Sequence, residues 1–168
     1  LGSAPAAPAA VKHALEVAGI GLDDVAVLDI YSCFPIAVVN ILDGLGLSPD
    51  DPRGLTVTGG LPFFGGPGNN YSLHAIAEIV TRVRQSPGDF GLVIANGGVL
   101  SKHAAGVYST TPSPWRTDNS AQVQARLDAV PTVPTVGDAD GPAILETYTV
   151  IPSKSGKRTG VVIGRLVD

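Results

Sequence analysis

The stretch Thr58-Gly59-Gly60-Leu61-Pro62-Phe63-Phe64-Gly65-Gly66-Pro67-Gly68-Asn69-Asn70-Tyr71 frames everything on either side of it. It holds five glycines, two prolines and two adjacent phenylalanines, follows the apolar Leu55-Thr56-Val57, and leads into a helical pattern beginning at Tyr71. A strand, a glycine-rich loop and a helix are therefore expected in succession. Glycine admits positive φ and close backbone approach, and a helix start offers unpaired N–H groups and the positive end of a dipole. Such a loop suits an anion or oxyanion, or else serves only as the crossover connection of an α/β domain.

Outward from that loop, composition sets the bounds. With 44% hydrophobic and 15% charged residues, 21 glycines and 14 prolines in 168 positions, the chain reads as a compact, loop-rich globule with a real core. A net charge of -4 argues against a nucleic-acid partner. The single cysteine, Cys33, leaves no intrachain disulfide and no cysteine-based zinc site, which fits a reducing compartment. No apolar run reaches a membrane span and no signal-peptide pattern opens the chain, so no membrane partner and a cytoplasmic location are expected. The chain contains no methionine and begins Leu1-Gly2-Ser3, as a piece of a longer protein would.

Taken in order, Pro8 is expected to open a helix carrying Val11, Ala14, Leu15 and Ala18, stopped by Gly19. Val25 to Ile30 reads as a strand buried on both faces. Tyr31-Ser32-Cys33-Phe34 follows it, and Pro35 begins a helix with Ile36, Val39, Ile41 and Leu42. Residues 55–58 are expected as a strand. A third helix from Tyr71 to Gln85 carries Leu73, Ile76, Ala77, Val80 and Val83 on one stripe. Phe90 to Ala95 and Gly106 to Ser109 read as strands around a tight turn at Asn96-Gly97-Gly98. Composition shifts at Thr110: residues 111–142 look like a linker with a short helix over 120–128 capped by Ser120. Residues 143–151 and 160–166 pair as a β-hairpin, which needs a further partner because a lone hairpin is marginal. Alternating strands and helices imply a layered α/β fold.

The candidate chemistry centres on Cys33, Tyr31 and His103. A thiol near a helix start can act as nucleophile or general acid/base, or it is a small apolar filler. Tyr31 lies two residues earlier, on the same side of an extended segment, where a phenol donates to an oxyanion or simply packs. His103, beside the Asn96-Gly97-Gly98 turn, is either functional or structural. His13 reads as solvated surface, and His74 as a support for the glycine loop. No metal-ligand spacing, phosphate loop, dinucleotide fingerprint or nucleophile elbow is present.

The succession Tyr31-Ser32-Cys33-Phe34, then Gly59-Gly60-Leu61-Pro62-Phe63-Phe64-Gly65-Gly66-Pro67, then Asn96-Gly97-Gly98 resembles the C-terminal half of thiolases, in the sterol-carrier and acetyl-CoA acetyltransferase branch. The resemblance covers roughly residues 5–110. It implies an α/β thiolase-fold C-terminal half, layered α-β-α with a mixed sheet, over residues 1–110 and incomplete at its N-terminus. Residues 143–168 would then begin an additional C-terminal β-domain.

The resemblance also implies where the chemistry departs from the family. Tyr31 stands where the first motif has His or Asn, with Cys33-Phe34 retained. Gly66 stands where the second motif keeps the histidine that activates the nucleophile, and Ala95 where the third keeps its acid/base cysteine. The nucleophilic cysteine belongs to an N-terminal half outside this chain. The implied ligand is a coenzyme A thioester, with no covalently bound cofactor, lying against Phe63, Phe64, Gly65, Gly66, Gly68, Asn96 and Gly97. Three readings stay open: an acetyl-CoA acetyltransferase-like domain that binds acyl-CoA with little or no thiolase activity, an aldolase-like enzyme acting on β-hydroxyacyl-CoA through Tyr31, Cys33 or His103, or a non-catalytic binding or dimerisation domain. The implied partners are acyl-CoA, the N-terminal thiolase half and a second copy in a homo-oligomer.

Overall fold

The computed structural model describes residues 4–114 and 116–167, and the chain divides into two units, Leu1–Val130 and Pro131–Asp168. The first unit is built on a sheet in the order β1-β2-β3, formed by β1 (Val25–Ile30), β2 (Phe90–Gly97) and β3 (Lys102–Ser109). β1 and β2 run parallel with Leu28 opposite Leu92, and β2 and β3 run antiparallel with Asn96 opposite His103. Helices α1 (Ala6–Ala18) and α2 (Pro35–Leu45) cover one face, against Leu28, Ile30, Leu92 and Ile94. Helix α4 (Tyr71–Gln85) covers the other, against Val27 and Val93. The layered, mixed-sheet α/β architecture expected from the sequence is therefore present, because side chains alternate faces along each strand and both faces are apolar.

Each helix differs from its expected form for a local reason. α1 begins at Ala6 rather than Pro8, since a proline in the first turn loses no intrahelical bond there. It buries Ala7, Val11 and Leu15 and ends at Gly19, whose φ of 75° lets its N–H reach Leu15 and Glu16 carbonyls. α2 buries Ala37, Asn40, Ile41 and Leu42 while Val39 faces outward, so a polar residue occupies a core position that spacing had given to valine. In α4 the buried series is Tyr71, Ala75, Ile79 and Val83, one residue every turn, and Leu73 is exposed. α4 lies so close to β2 that a Cβ at Gly91 would run into Ile79.

Two expected features take another form. Residues 55–58 are not a strand: Leu55 accepts a bond from the Ile30 N–H, but the next amides turn to a side chain instead of a neighbouring strand. The tight turn lies one step further on, at Gly98–Ser101, with Asn96 and Gly97 inside β2 and both Val99 and Leu100 at positive φ. The short helix α5 (Ser120–Asp128) is present, but Ser120 is its first residue and the Asp118 carboxylate accepts the Ser120 N–H. In the second unit, β4 (Ala143–Pro152) and β5 (Arg158–Leu166) form the expected antiparallel hairpin. Its turn closes through the Ser153 N–H on the Lys157 carbonyl, with Gly156 at φ 80°.

Candidate functional site

The carboxyl ends of β1 and β2 deliver the candidate residues to one place, where ligand sites of α/β sheets form. Tyr31 prolongs β1, its N–H bonding to the Ile94 carbonyl. The Cys33 thiol donates to Asn96 Oδ1 at 3.1 Å, and Asn96 Nδ2 donates to the Tyr31 carbonyl at 3.3 Å. The second bond orients the amide so that its oxygen faces the sulfur. Tyr31, Cys33 and Asn96 are thus one hydrogen-bonded group, all half-buried. His103 stands apart: its Nε2 lies 3.0 Å from the Leu100 carbonyl, bracing the strained turn, and no hydrogen bond joins it to Tyr31 or Cys33 among the described residues. Gly97 pairs with Lys102 at the end of the β2–β3 ladder.

The glycine segment forms the second wall. Gly60 adopts φ 79°, ψ -173°, a region essentially reserved for glycine, and a Cβ there would lie 2.6 Å from the Ser32 hydroxyl oxygen. The segment therefore packs directly on the Tyr31–Cys33 loop. From Gly60 it enters the one-turn helix α3 (Leu61–Phe64), closed by Gly65 at φ 72°. The Gly65 N–H is already spent on the Leu61 carbonyl at 2.7 Å, so it has nothing to offer a ligand. Gly66 and Gly68 differ: both have positive φ, both face open space, and neither amide finds an acceptor among the described residues. Phe63 is 80% exposed and Phe64 41%. His74 supports the loop as expected, through Asn70 at 3.3 Å and a tilted contact with the Phe64 ring.

Sequence reading missed what holds this wall. Asp29 is fully buried in β1, on the α4 face. Its Oδ2 accepts the hydroxyls of Thr56 (2.6 Å) and Thr58 (2.8 Å) and the N–H groups of Val57 (3.0 Å) and Thr58 (3.1 Å). Its Oδ1 lies 3.3 Å from the Tyr71 hydroxyl, which also sits 2.6 Å from Thr58 Oγ1. Thr58 Oγ1 in turn accepts the Gly60 N–H. Burial pushes the Tyr71 phenol above its ordinary pKa, the Thr58 bond opposes that rise, and the nearby Asp29 adds to it. The Tyr71 ring lies 4.5 Å from that of Tyr31, tilted by 34°. The one signal in the sequence was a lone carboxylate inside the apolar run Val25–Ile30.

A cavity of about 880 Å³ lies elsewhere in the first unit, between α1, β3 and α5. His103 and Lys102 line it, but Tyr31, Cys33 and the glycine segment do not. Its roof is fastened by Arg116 on the Glu16 carbonyl and by His13 on Asp118. His13 is thus not the solvated surface residue expected, with its side chain only 13% exposed, and it holds the Asp118 carboxyl below the usual range. Volume alone does not make that cleft the ligand site. The half-buried thiol, phenol and carboxamide are at the strand ends instead, with Gly60 packed on Ser32 beside them. No cluster of three His, Cys, Asp or Glu side chains with metal-binding geometry occurs among the described residues, and no described helix is long and apolar enough to cross a membrane.

Residues 122–168 match the family model described as the thiolase-like protein type 1 additional C-terminal domain. The structure superposes on the crystal structure of a monomeric SCP2-thiolase-like protein type 1 from Mycobacterium smegmatis with a TM-score of 0.89 and 59% identity, over 98% of this chain. The chain is thiolase-like. It spans 36% of the length of that relative, and no curated protein matches it. The relative is described as monomeric, so it lends no support to the homo-oligomer expected from the sequence.

Proposed function

We propose that this chain supplies part of the acyl-thioester pocket of a thiolase-like protein and binds a coenzyme A thioester without supporting ordinary thiolysis. The observation that carries this reading is the pair of open, positive-φ glycines, Gly66 and Gly68, whose amides have no acceptor among the described residues, set beside exposed Phe63 and Phe64. Two such N–H groups can receive a thioester carbonyl oxygen, and the phenylalanines can shield an acyl chain.

Thiolysis needs a thiolate nucleophile and proton-transferring partners. Gly66 cannot take a proton, and the Cys33 thiol is engaged with a neutral carboxamide rather than a base. The Tyr31 hydroxyl has no hydrogen-bond partner among the described residues, which keeps an aldolase-like role for that phenol in view. The experiment measures acetyl-CoA binding by calorimetry on the intact protein, with acetoacetyl-CoA thiolysis and retro-aldol cleavage of a β-hydroxyacyl-CoA assayed on the same preparation. The expected result is binding with thiolysis absent. Normal thiolase turnover, or no thioester binding at all, would overturn the reading.

A further inference from the structure

We infer that Asp29 is the positioning residue of this site: its buried carboxyl group sets the geometry of the glycine segment and of Tyr31 together. The inference rests on the thioester reading for its effect on ligand binding, while its effect on the loop stands by itself. Burying a carboxyl group is costly unless its oxygens are satisfied. Here four donors from three consecutive residues, Thr56, Val57 and Thr58, meet on one oxygen. Such a chelate fixes the backbone of all three, and it explains why a segment with strand-like composition does not pair as one.

The order then travels two ways. Thr58 Oγ1 receives the Gly60 N–H, which holds Gly60 in its glycine-only conformation at the entrance to α3. Tyr71, bonded to Thr58 and Asp29, starts α4 and carries the ring of Tyr31 against its own. One carboxyl group therefore orients Gly60, at the entrance to α3, and the ring packed on the candidate acid Tyr31, although it touches neither Gly60 nor Tyr31. No other buried charged side chain is found in the core of the described residues.

The test uses Asp29→Asn, which keeps the shape, and Thr58→Val, which removes one hydroxyl, in the intact protein. Amide exchange at Val57–Gly60 should accelerate by about tenfold or more in both variants, with exchange in α1 unchanged, and Thr58→Ser should restore the native rate. Acetyl-CoA affinity should fall by about tenfold while the bound ligand count stays the same. Should Asp29→Asn fail to fold, Thr58→Val and Thr58→Ser carry the comparison alone. Unchanged exchange at Val57–Gly60, or a change spread evenly over the whole unit, would overturn the inference. Faster loop exchange in a protein that binds no thioester would leave the positioning role standing and remove the thioester reading.

Discussion

The glycine segment is two loops in one, and they differ in what holds them. Residues 55–60 are tied by side chains to Asp29, whereas residues 65–68 are shaped by glycine conformations with no neighbour within 4 Å of where a Cβ would be. Both contain glycines, but residues 55–60 carry the β-branched Thr56, Val57 and Thr58, and residues 65–68 are Gly-Gly-Pro-Gly. The difference teaches that a glycine can serve opposite ends. Gly60 permits close packing on Ser32, while Gly66 and Gly68 keep space and amides free for something else.

Alanine substitutions break that comparison most sharply. Gly60→Ala places a side chain in a region closed to it and against the Ser32 oxygen, and should destabilise the first unit by about 2–3 kcal/mol in denaturant unfolding. Gly66→Ala meets only the left-handed backbone penalty, about 1 kcal/mol, and should show its main effect in ligand binding. Equal stability losses would show that the two halves are held alike.

Acid sharpens the comparison at the entrance to the tied half. There Arg53 donates to Asp51 and to the carbonyls of Leu22 and Val25, anchoring the chain just before Leu55. The Arg53 hydrogen bonds lower the Asp51 carboxyl to about 2. A folded pKa below the unfolded value means the pair stabilises fully above the ordinary carboxylate pKa, about 4, and that this support is lost as pH falls through the folded value. Unfolding followed from pH 5 to pH 2 should therefore lose stability over that window, and Asp51→Asn should lose less.

Much of the fold was legible because period and punctuation carry it. Gly19 ends its helix, the apolar runs at Val25 and Phe90 pair as β1 and β2, and the hairpin is where composition placed it. The site was legible only where motifs speak, at Tyr31, Cys33, Asn96 and the glycine segment. Asp29 and Tyr71 escaped because their role depends on long-range convergence: Asp29 meets donors 27 to 42 residues away in sequence. The third helix misled for a related reason. Tyr71 heads the buried face with Ala75, Ile79 and Val83, its hydroxyl finding partners there, and Leu73, two positions on, falls on the opposite face and is exposed.

The most direct measurement is amide exchange across residues 55–70 of the intact protein, with and without saturating acetyl-CoA. The Gly66 and Gly68 amides should gain protection of about tenfold or more as they take up the thioester, while Val57 to Gly60 should stay as slow as before. Protection confined to α1 and α5 around the 880 Å³ cleft, with the glycine segment unaffected, would contradict the account.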